Sequence, residues 1–430
     1  MPVETVASRE TPVPNRWVQL IAGVVCMTMI ANLQYGWTLF VNPIDQKFQW
    51  GLPAIQVAFS IFVFTETWLV PIEGWFVDRF GPRWVVAFGA VMVALGWSLD
   101  AIADSLPLLY LAAAISGIGA AGVYGTCVAN ALKWFPDRRG LCAGITAAGF
   151  GAGAAISVLP ITATIAAYGY QTAFLWFGLG QGVIVLALSQ ILRAPKPGQV
   201  PKPIAKLQQA QKDSTPIQML STPIFWVLYV MFVMVAASGL MVTAEVAPIA
   251  KDYGIAGQPV SFLFIATTVL SMALVVDNIL NGLARPFFGW VSDHIGRENT
   301  MAIVFAAGAA SYWCLATIGH NPIVFILSAG LVYFTWGEIY SLFPATCTDV
   351  YGAKHAATNS GLLYTAKGTA VWLVPLASLV KVETGSWTAV FLVATIMNVA
   401  VALAALFILK PMRSARADRA LREAGMRSAN

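Results

Sequence analysis

Charged side chains are scarce in this chain. Asp, Glu, Lys and Arg make up 10% of its 430 residues, where soluble domains carry about 25%. So little charge cannot cover a water-facing surface, which excludes an ordinary soluble globule. Cysteine is scarce as well. The five thiols (Cys26, Cys127, Cys142, Cys314, Cys347) are scattered through apolar stretches, and none forms a C-x-x-C pair. That leaves no disulfide framework and no metal-ligand spacing, so they read as small buried hydrophobes. No nucleophile–base set stands out either. The chain is therefore expected to be no enzyme and to need no metal or cofactor. Residues 1–15 lack an apolar stretch, so no cleavable leader is expected. The net charge of +5 sits in short loops and the C-terminal tail, a pattern of membrane topology rather than of a nucleic-acid partner.

What the chain has instead is apolar length. Hydrophobic residues reach 58% and the mean hydropathy is +0.73. Runs long enough to span a bilayer, about 20 residues each, fall near 17–41, 53–77, 84–103, 106–131, 140–165 and 170–192. Six more fall near 222–250, 260–291, 299–318, 321–346, 356–381 and 386–409. The expectation is an all-α membrane protein of twelve transmembrane helices in two six-helix halves. Its divisions are an N-terminal half (1–192), a cytoplasmic linker (193–221) rich in Pro, Lys and Gln, a C-terminal half (222–410) and a basic cytoplasmic tail (411–430). With both termini inside, only Lys47, Lys251 and Lys381 among the loop cations fall outside, which satisfies the positive-inside rule.

One motif occurs twice, half the chain apart. Gly74-Trp75-Phe76-Val77-Asp78-Arg79-Phe80-Gly81 recurs as Gly289-Trp290-Val291-Ser292-Asp293-His294-Ile295-Gly296, and Arg83 and Arg297 follow. A repeat of this kind marks duplicated structural units. Both copies lie where a span meets a short loop on the cytoplasmic side. There glycine permits a tight turn, and Asp and Arg can cap and cross-link helix ends. Here the sequence resembles the major facilitator superfamily. Gly74, Asp78, Arg79, Gly81 and Arg83 match its loop after helix 2, and the resemblance covers the whole chain. It implies a rocking carrier with a site at the midplane between the halves.

Two basic residues lie inside spans: Arg285 in span 8 and Lys367 in span 11. An intramembrane cation is expensive to insert, at about 2.5–3.5 kcal/mol, and faces a cavity or a partner. Their repeat counterparts are Val70 and Ala152, so the cations belong to one half alone. Two cations in one cavity suit a small dicarboxylate, with the Arg fork on one carboxylate and the Lys point charge on the other. The alternative is that each is paired with a buried acid. Asn281 precedes Arg285 by four residues and Tyr364 precedes Lys367 by three, helical neighbours in both cases. Trp336 and Tyr340, Gln34 and Tyr35, Tyr124 and Phe150 offer polar and aromatic walls. Ordinary packing is the competing reading for any single aromatic.

At this level the chain resembles the bacterial oxalate–formate antiporters. The likeness lies in Gln34-Tyr35, Val123-Tyr124-Gly125, Ala148-Gly149-Phe150-Gly151, Asn281 through Phe287, Phe334-Thr335-Trp336-Gly337 and Ala366-Lys367. It implies that Arg285 and Lys367 hold the dicarboxylate. It also implies that Gln34, Tyr35, Tyr124, Phe150, Asn281, Trp336, Tyr340 and Tyr364 form the cage. Oxalate would enter and formate leave, through a monomeric multi-pass protein of the bacterial inner (plasma) membrane. Phe150 and Tyr364 depart from the familiar pattern, which has Tyr and Trp. The acids Glu66, Glu73, Glu245, Asp277 and Glu338 lie in or near spans. Glu66 and Asp277 are candidate proton-linked carboxylates, which keeps a proton-coupled monocarboxylate carrier open. Glu338 sits about 200° around the helix from Trp336 and is expected to point elsewhere.

Gly117-Ile118-Gly119-Ala120-Ala121-Gly122 fits the dinucleotide fingerprint literally. It follows a helix rather than a strand, so close helix packing explains it better. Gly144, Gly149, Gly151 and Gly153 point to tight contact or a hinge in span 5.

Overall fold

Inside a bilayer no water is available to the backbone, so a spanning run must satisfy its N–H and C=O groups within itself, as a helix does. The computed structural model describes residues 15–135, 139–195, 199, 213–262, 265–352 and 355–423. The first half contains α1 (Arg16–Tyr35), α2 (Thr38–Phe48), α3 (Leu52–Trp68), α4 (Val70–Phe80), α5 (Pro82–Ile102), α6 (Leu106–Trp134), α7 (Arg139–Tyr168) and α8 (Tyr170–Ser189). The second opens with the short α9 (Pro216–Leu220) and α10 (Pro223–Asp252). A hairpin of β1 (Pro259–Phe262) and β2 (Ile265–Thr268) leads into α11 (Val269–Ile295). Then come α12 (Arg297–Ile318), α13 (Pro322–Gly337), α14 (Ile339–Tyr351), α15 (Ala356–Ala370), α16 (Leu373–Thr384) and α17 (Thr388–Ala404). A π-helical turn, Ala405–Leu409, continues into α18 (Lys410–Glu423).

Among the described residues, eleven stretches are long and apolar enough to cross a membrane. The twelfth span of the two-half layout is α11. Its 27 residues suffice in length, but Asp277, Asn278, Asn281 and Arg285 hold its hydropathy down.

Four spans are built from two helices each. Span 1 turns at Gly36 and Trp37 between α1 and α2, and span 2 at Leu69 before Pro71. Span 10 breaks at Glu338 and span 11 at Val371 and Trp372. Proline explains two of these breaks, because it donates no hydrogen bond to the carbonyl four residues earlier. Pro71 abandons the Thr67 carbonyl, and Pro375 abandons that of Val371. Discontinuous helices of this kind line the central sites of carriers.

Both motif copies end in the same backbone turn. Gly81 (φ 80°) and Gly296 (φ 90°) terminate α4 and α11 and begin α5 and α12. Their N–H groups bond the carbonyls of Val77 and Ser292. A side chain at either position would be forced into the left-handed region. The repeat read from sequence is thus a repeat of backbone geometry.

The structure revises two expectations. The span placed at 260–291 begins as a β-hairpin, registered from Pro259↔Thr268 to Phe262↔Ile265. Its run of Val, Ser, Phe, Ile and Thr favours extended chain, and the helix starts only after the Thr268 cap. Span 1 runs on past 41 to Phe48. Near the start of the tail, Arg413 pairs with Glu298 and Arg416 lies 5.1 Å over the Tyr351 ring.

The glycine clusters are packing surfaces. Gly117 lies against Phe62 and Thr65 of α3, and Gly119 against Gly89 and Val93 of α5. Gly149 and Gly153 meet α1 at Val24 and Thr28, while Gly151 meets Asn281 and Gly282 of α11. At Gly144 an added Cβ would meet nothing within 4 Å, so no tight contact accounts for that glycine.

Candidate functional site

Arg285 enters the interface between the halves from α11. One guanidinium nitrogen donates to the Ala147 carbonyl of α7 at 2.8 Å. The other donates to Asn281 Oδ1 at 3.2 Å and to the Tyr35 hydroxyl at 3.5 Å. Asn281 is placed in turn by its own amide on the Tyr333 carbonyl at 3.3 Å. The Arg285 Nε is buried with no protein acceptor. Among the described residues no carboxylate lies within ion-pair distance of Arg285, and Asp277 does not reach it. Asp277 is buried beside Gly330 of α13, with neither oxygen hydrogen-bonded.

Close approach of backbones makes this placement possible. A Cβ on Gly282 would stand 2.7 Å from that of Ala152, and one on Gly151 would stand 2.8 Å from Asn281 Oδ1. Glycine at both points lets α7 and α11 close until the arginine reaches across.

Lys367, on α15, corrects the expectation of two free cations. Its Nζ donates to Glu66 Oε2 and to Gln34 Oε1, each at 2.8 Å, and to the Tyr364 hydroxyl at 3.4 Å. Those three bonds use all the donors of an ammonium. Both side chains of the Lys367–Glu66 pair are 1% exposed. The lysine is therefore held by an acid of the other half, and the arginine is not.

One ring joins the two cations. The guanidinium carbon of Arg285 lies 4.6 Å from the Tyr340 centroid, and Lys367 Nζ lies 5.7 Å from it. The aromatic residues singled out above form a continuous wall around them. Tyr35 meets Phe150 at 5.5 Å and Trp336 at 6.4 Å. Tyr124 meets Phe150 at 5.2 Å and Tyr364 at 5.9 Å. Tyr340 meets Trp336 at 5.6 Å and Tyr364 at 6.0 Å. Such rings offer cation–π attraction and a low dielectric that strengthens charge pairing. The Trp336 indole N–H, the Tyr340 hydroxyl and the Gln34 amide nitrogen are buried without protein partners. Unpaired buried donors are costly unless a ligand takes them.

Sequence reasoning missed the seal on one side of this chamber. On α3, Gln56 donates to the Ala244 carbonyl at 2.9 Å, and Ser60 donates to that of Val371 at 3.0 Å. Thr38 accepts from Ala247 N–H at 2.9 Å, and Trp37 donates to Gln56 at 3.1 Å. The first three of these bonds tie the halves together at the end away from the termini, and the last braces Gln56 within the first half. The available signal was Gln56 and Ser60, polar residues one helical turn apart in the first, otherwise apolar part of α3. Gly239 was missed too; a Cβ there would collide with the Trp336 indole.

The remaining expected residues are spread over the bundle. Arg83 bonds Gln190 at the foot of α8, whereas Arg297 bonds Asp349 at 3.2 Å and Ser292. Arg79 lies 5.9 Å over Phe80. Gly289 has open space where a side chain would go. The side-chain positions of Gly74, Asp78 and Asp293 lie outside the described residues. Glu245 accepts from Ser378, and the Glu338 carboxylate is buried with neither oxygen hydrogen-bonded.

A sequence model of the Major Facilitator Superfamily matches residues 23–375, and again 265–428. The chain belongs to the Major Facilitator Superfamily. Its fold and its place among transporters rather than enzymes follow from that membership. The transporter is 36% identical to the oxalate:formate antiporter of Oxalobacter formigenes over 397 residues, which is 92% of each chain. It is 27% identical to the uncharacterized MFS-type transporter YhjX of Escherichia coli (strain K12), over 81% of this chain and 84% of that one. It is 25% identical to monocarboxylate transporter 12 of Xenopus laevis, over 75% of this chain and 73% of that one.

Proposed function

We propose that this transporter exchanges a small dicarboxylate, oxalate, for a monocarboxylate, formate, by alternating access. The observation that carries the reading is the pair of buried cations, Arg285 and Lys367, both close to the Tyr340 ring at the interface of the halves. Arg285 supplies a planar fork for one carboxylate, with its Nε still to be satisfied. Tyr340 and Trp336 supply further donors, and the aromatic wall keeps water away. The relative from Oxalobacter formigenes supports this cargo. Rocking of the halves about the α7–α11 contact exposes the chamber to one side at a time. The lysine and arginine distribution supports cytoplasmic termini, in the inner membrane of a bacterium. The test is exchange in proteoliposomes. Formate inside should accelerate oxalate uptake, and Lys367→Gln should abolish that acceleration. Uptake unaffected by the substitution removes the lysine from its role.

A second reading has its own support. Glu66 already occupies Lys367, which leaves one net positive charge for a monocarboxylate, and monocarboxylate transporters are among the relatives. On that reading a pH gradient alone should drive accumulation without a counter-substrate. Strict one-for-one exchange indifferent to the gradient counts against it.

A further inference from the structure

Glu66 has the wrong sign for a residue of an anion carrier's chamber. Its Oε2 is held by Lys367, while its Oε1 is buried with no partner. The ionisable groups facing it come from several elements. They are Lys367 and Tyr364 on α15, Tyr35 on α1, Tyr124 on α6, Tyr340 on α14 and Glu73 on α4, with Arg285 on α11 beyond the tyrosines. From α2 and α16, which also pack on α3, the charged groups are Asp45, Lys47, Lys381 and Glu383. These sit in the closing turns of their helices. Glu66 lies near the opposite end of α3.

With Glu66 ionised, Arg285, Lys367 and Glu66 together hold one net positive charge. A monocarboxylate on Arg285 cancels it, and Glu66 can stay where it is. A dicarboxylate needs Lys367 as well and meets the Glu66 carboxylate at the same ammonium. Two carboxylates cannot both stay ionised on one lysine in a dry chamber. The conflict resolves if Glu66 takes a proton from the water through which the dicarboxylate arrives. An O–H bond forms on Glu66, and the Lys367 hydrogen bond passes from Glu66 to the substrate oxygen. The chamber then holds two cations, one dianion and one neutral acid. On release at the far side the proton leaves Glu66, which returns to Lys367. Both loaded forms are electrically neutral, the state that crosses a low-dielectric interior most cheaply.

We propose that Glu66 makes the exchange electroneutral: the dicarboxylate travels with one proton on Glu66, and the monocarboxylate travels without it. This rests on the exchange reading above. The test uses the full chain in formate-loaded proteoliposomes, with labelled oxalate outside. At clamped potential, acid outside should speed oxalate uptake several-fold; at fixed pH, an imposed potential should leave it unchanged. Glu66→Gln should reverse both responses, and Glu73→Gln should keep those of the wild type. As a measurement independent of any variant, adding oxalate to weakly buffered purified protein should take up roughly one proton per bound oxalate, and adding formate should take up none. Exchange that follows the potential and ignores the gradient, or oxalate binding without proton uptake, overturns the inference and leaves the exchange reading intact. Coupling lost in Glu73→Gln but kept in Glu66→Gln moves the proton to another residue and overturns it likewise. Absence of any oxalate or formate exchange overturns the exchange reading and this inference together.

Discussion

Ser60 of the first half donates a hydrogen bond to the Val371 carbonyl of the second at 3.0 Å. That carbonyl is available because Pro375, four residues on, has no N–H to give it; within its own half it keeps only the tighter bond from Val374. One turn earlier on α3, Gln56 treats the Ala244 carbonyl in the same way, and the proline there is Pro248. Two prolines thus open two acceptors, and two polar residues on one face of α3 fill them. The chamber is closed at this end by a few discrete bonds between the halves.

If these bonds hold that end shut, removing them shifts the balance toward opening. Each neutral hydrogen bond contributes about 1 kcal/mol, so Gln56→Ala with Ser60→Ala should favour opening by roughly 10- to 30-fold. Spin labels at the exposed positions 47 and 251 should report a new, longer distance population. An unchanged distribution means that other contacts hold the closure.

Arg285→Lys should fail despite keeping the charge. Lysine cannot bond Ala147, Asn281 and a carboxylate at once with fork geometry. Charge-assisted hydrogen bonds contribute about 1.5–3 kcal/mol, so apparent affinity should fall about 10- to 100-fold, read from oxalate-induced thermal stabilisation. Wild-type stabilisation in the variant removes the arginine from the site.

The Lys367–Glu66 pair predicts an asymmetry in stability. Removing one member leaves a buried charge without a partner, a loss of about 3–5 kcal/mol, whereas replacing both can be nearly neutral. Lys367→Met and Glu66→Leu should each lower the melting temperature in detergent, and the double variant should recover most of it. Additive losses indicate that the pair does not form.

Gly282→Val tests the helix contact rather than the chemistry. The first added carbon already meets Ala152 Cβ at 2.7 Å, and overpacking of this kind costs about 1–3 kcal/mol. Backbone separation should pull Arg285 from the Ala147 carbonyl. Oxalate binding should therefore weaken in a chain that still folds and inserts. Binding at wild-type strength contradicts the proposed role of this contact.

Much of this molecule was readable before any coordinates. Twelve apolar runs, the doubled motif and the two cations in spans are local patterns, and the bilayer leaves a run of that length little choice but helix. The residues named for the cage do gather around Tyr340. Helical spacing already placed Asn281 with Arg285 and Tyr364 with Lys367. The start of span 8 differs from the expectation because a short apolar run in a hairpin and one in a helix look alike to hydropathy.

Composition and order along the chain were thus enough to determine a two-half helical membrane protein with a cationic second half, since hydrophobic length and repeat period are properties of neighbouring residues. Whether those cations are free is a different kind of fact. Glu66 and Lys367 are far apart in sequence and 2.8 Å apart in space, and α7 accepts from Arg285 only because glycines let two helices touch. Charge pairing depends on distance through space, so only the assembled bundle could decide that the lysine is held by an acid and the arginine is not.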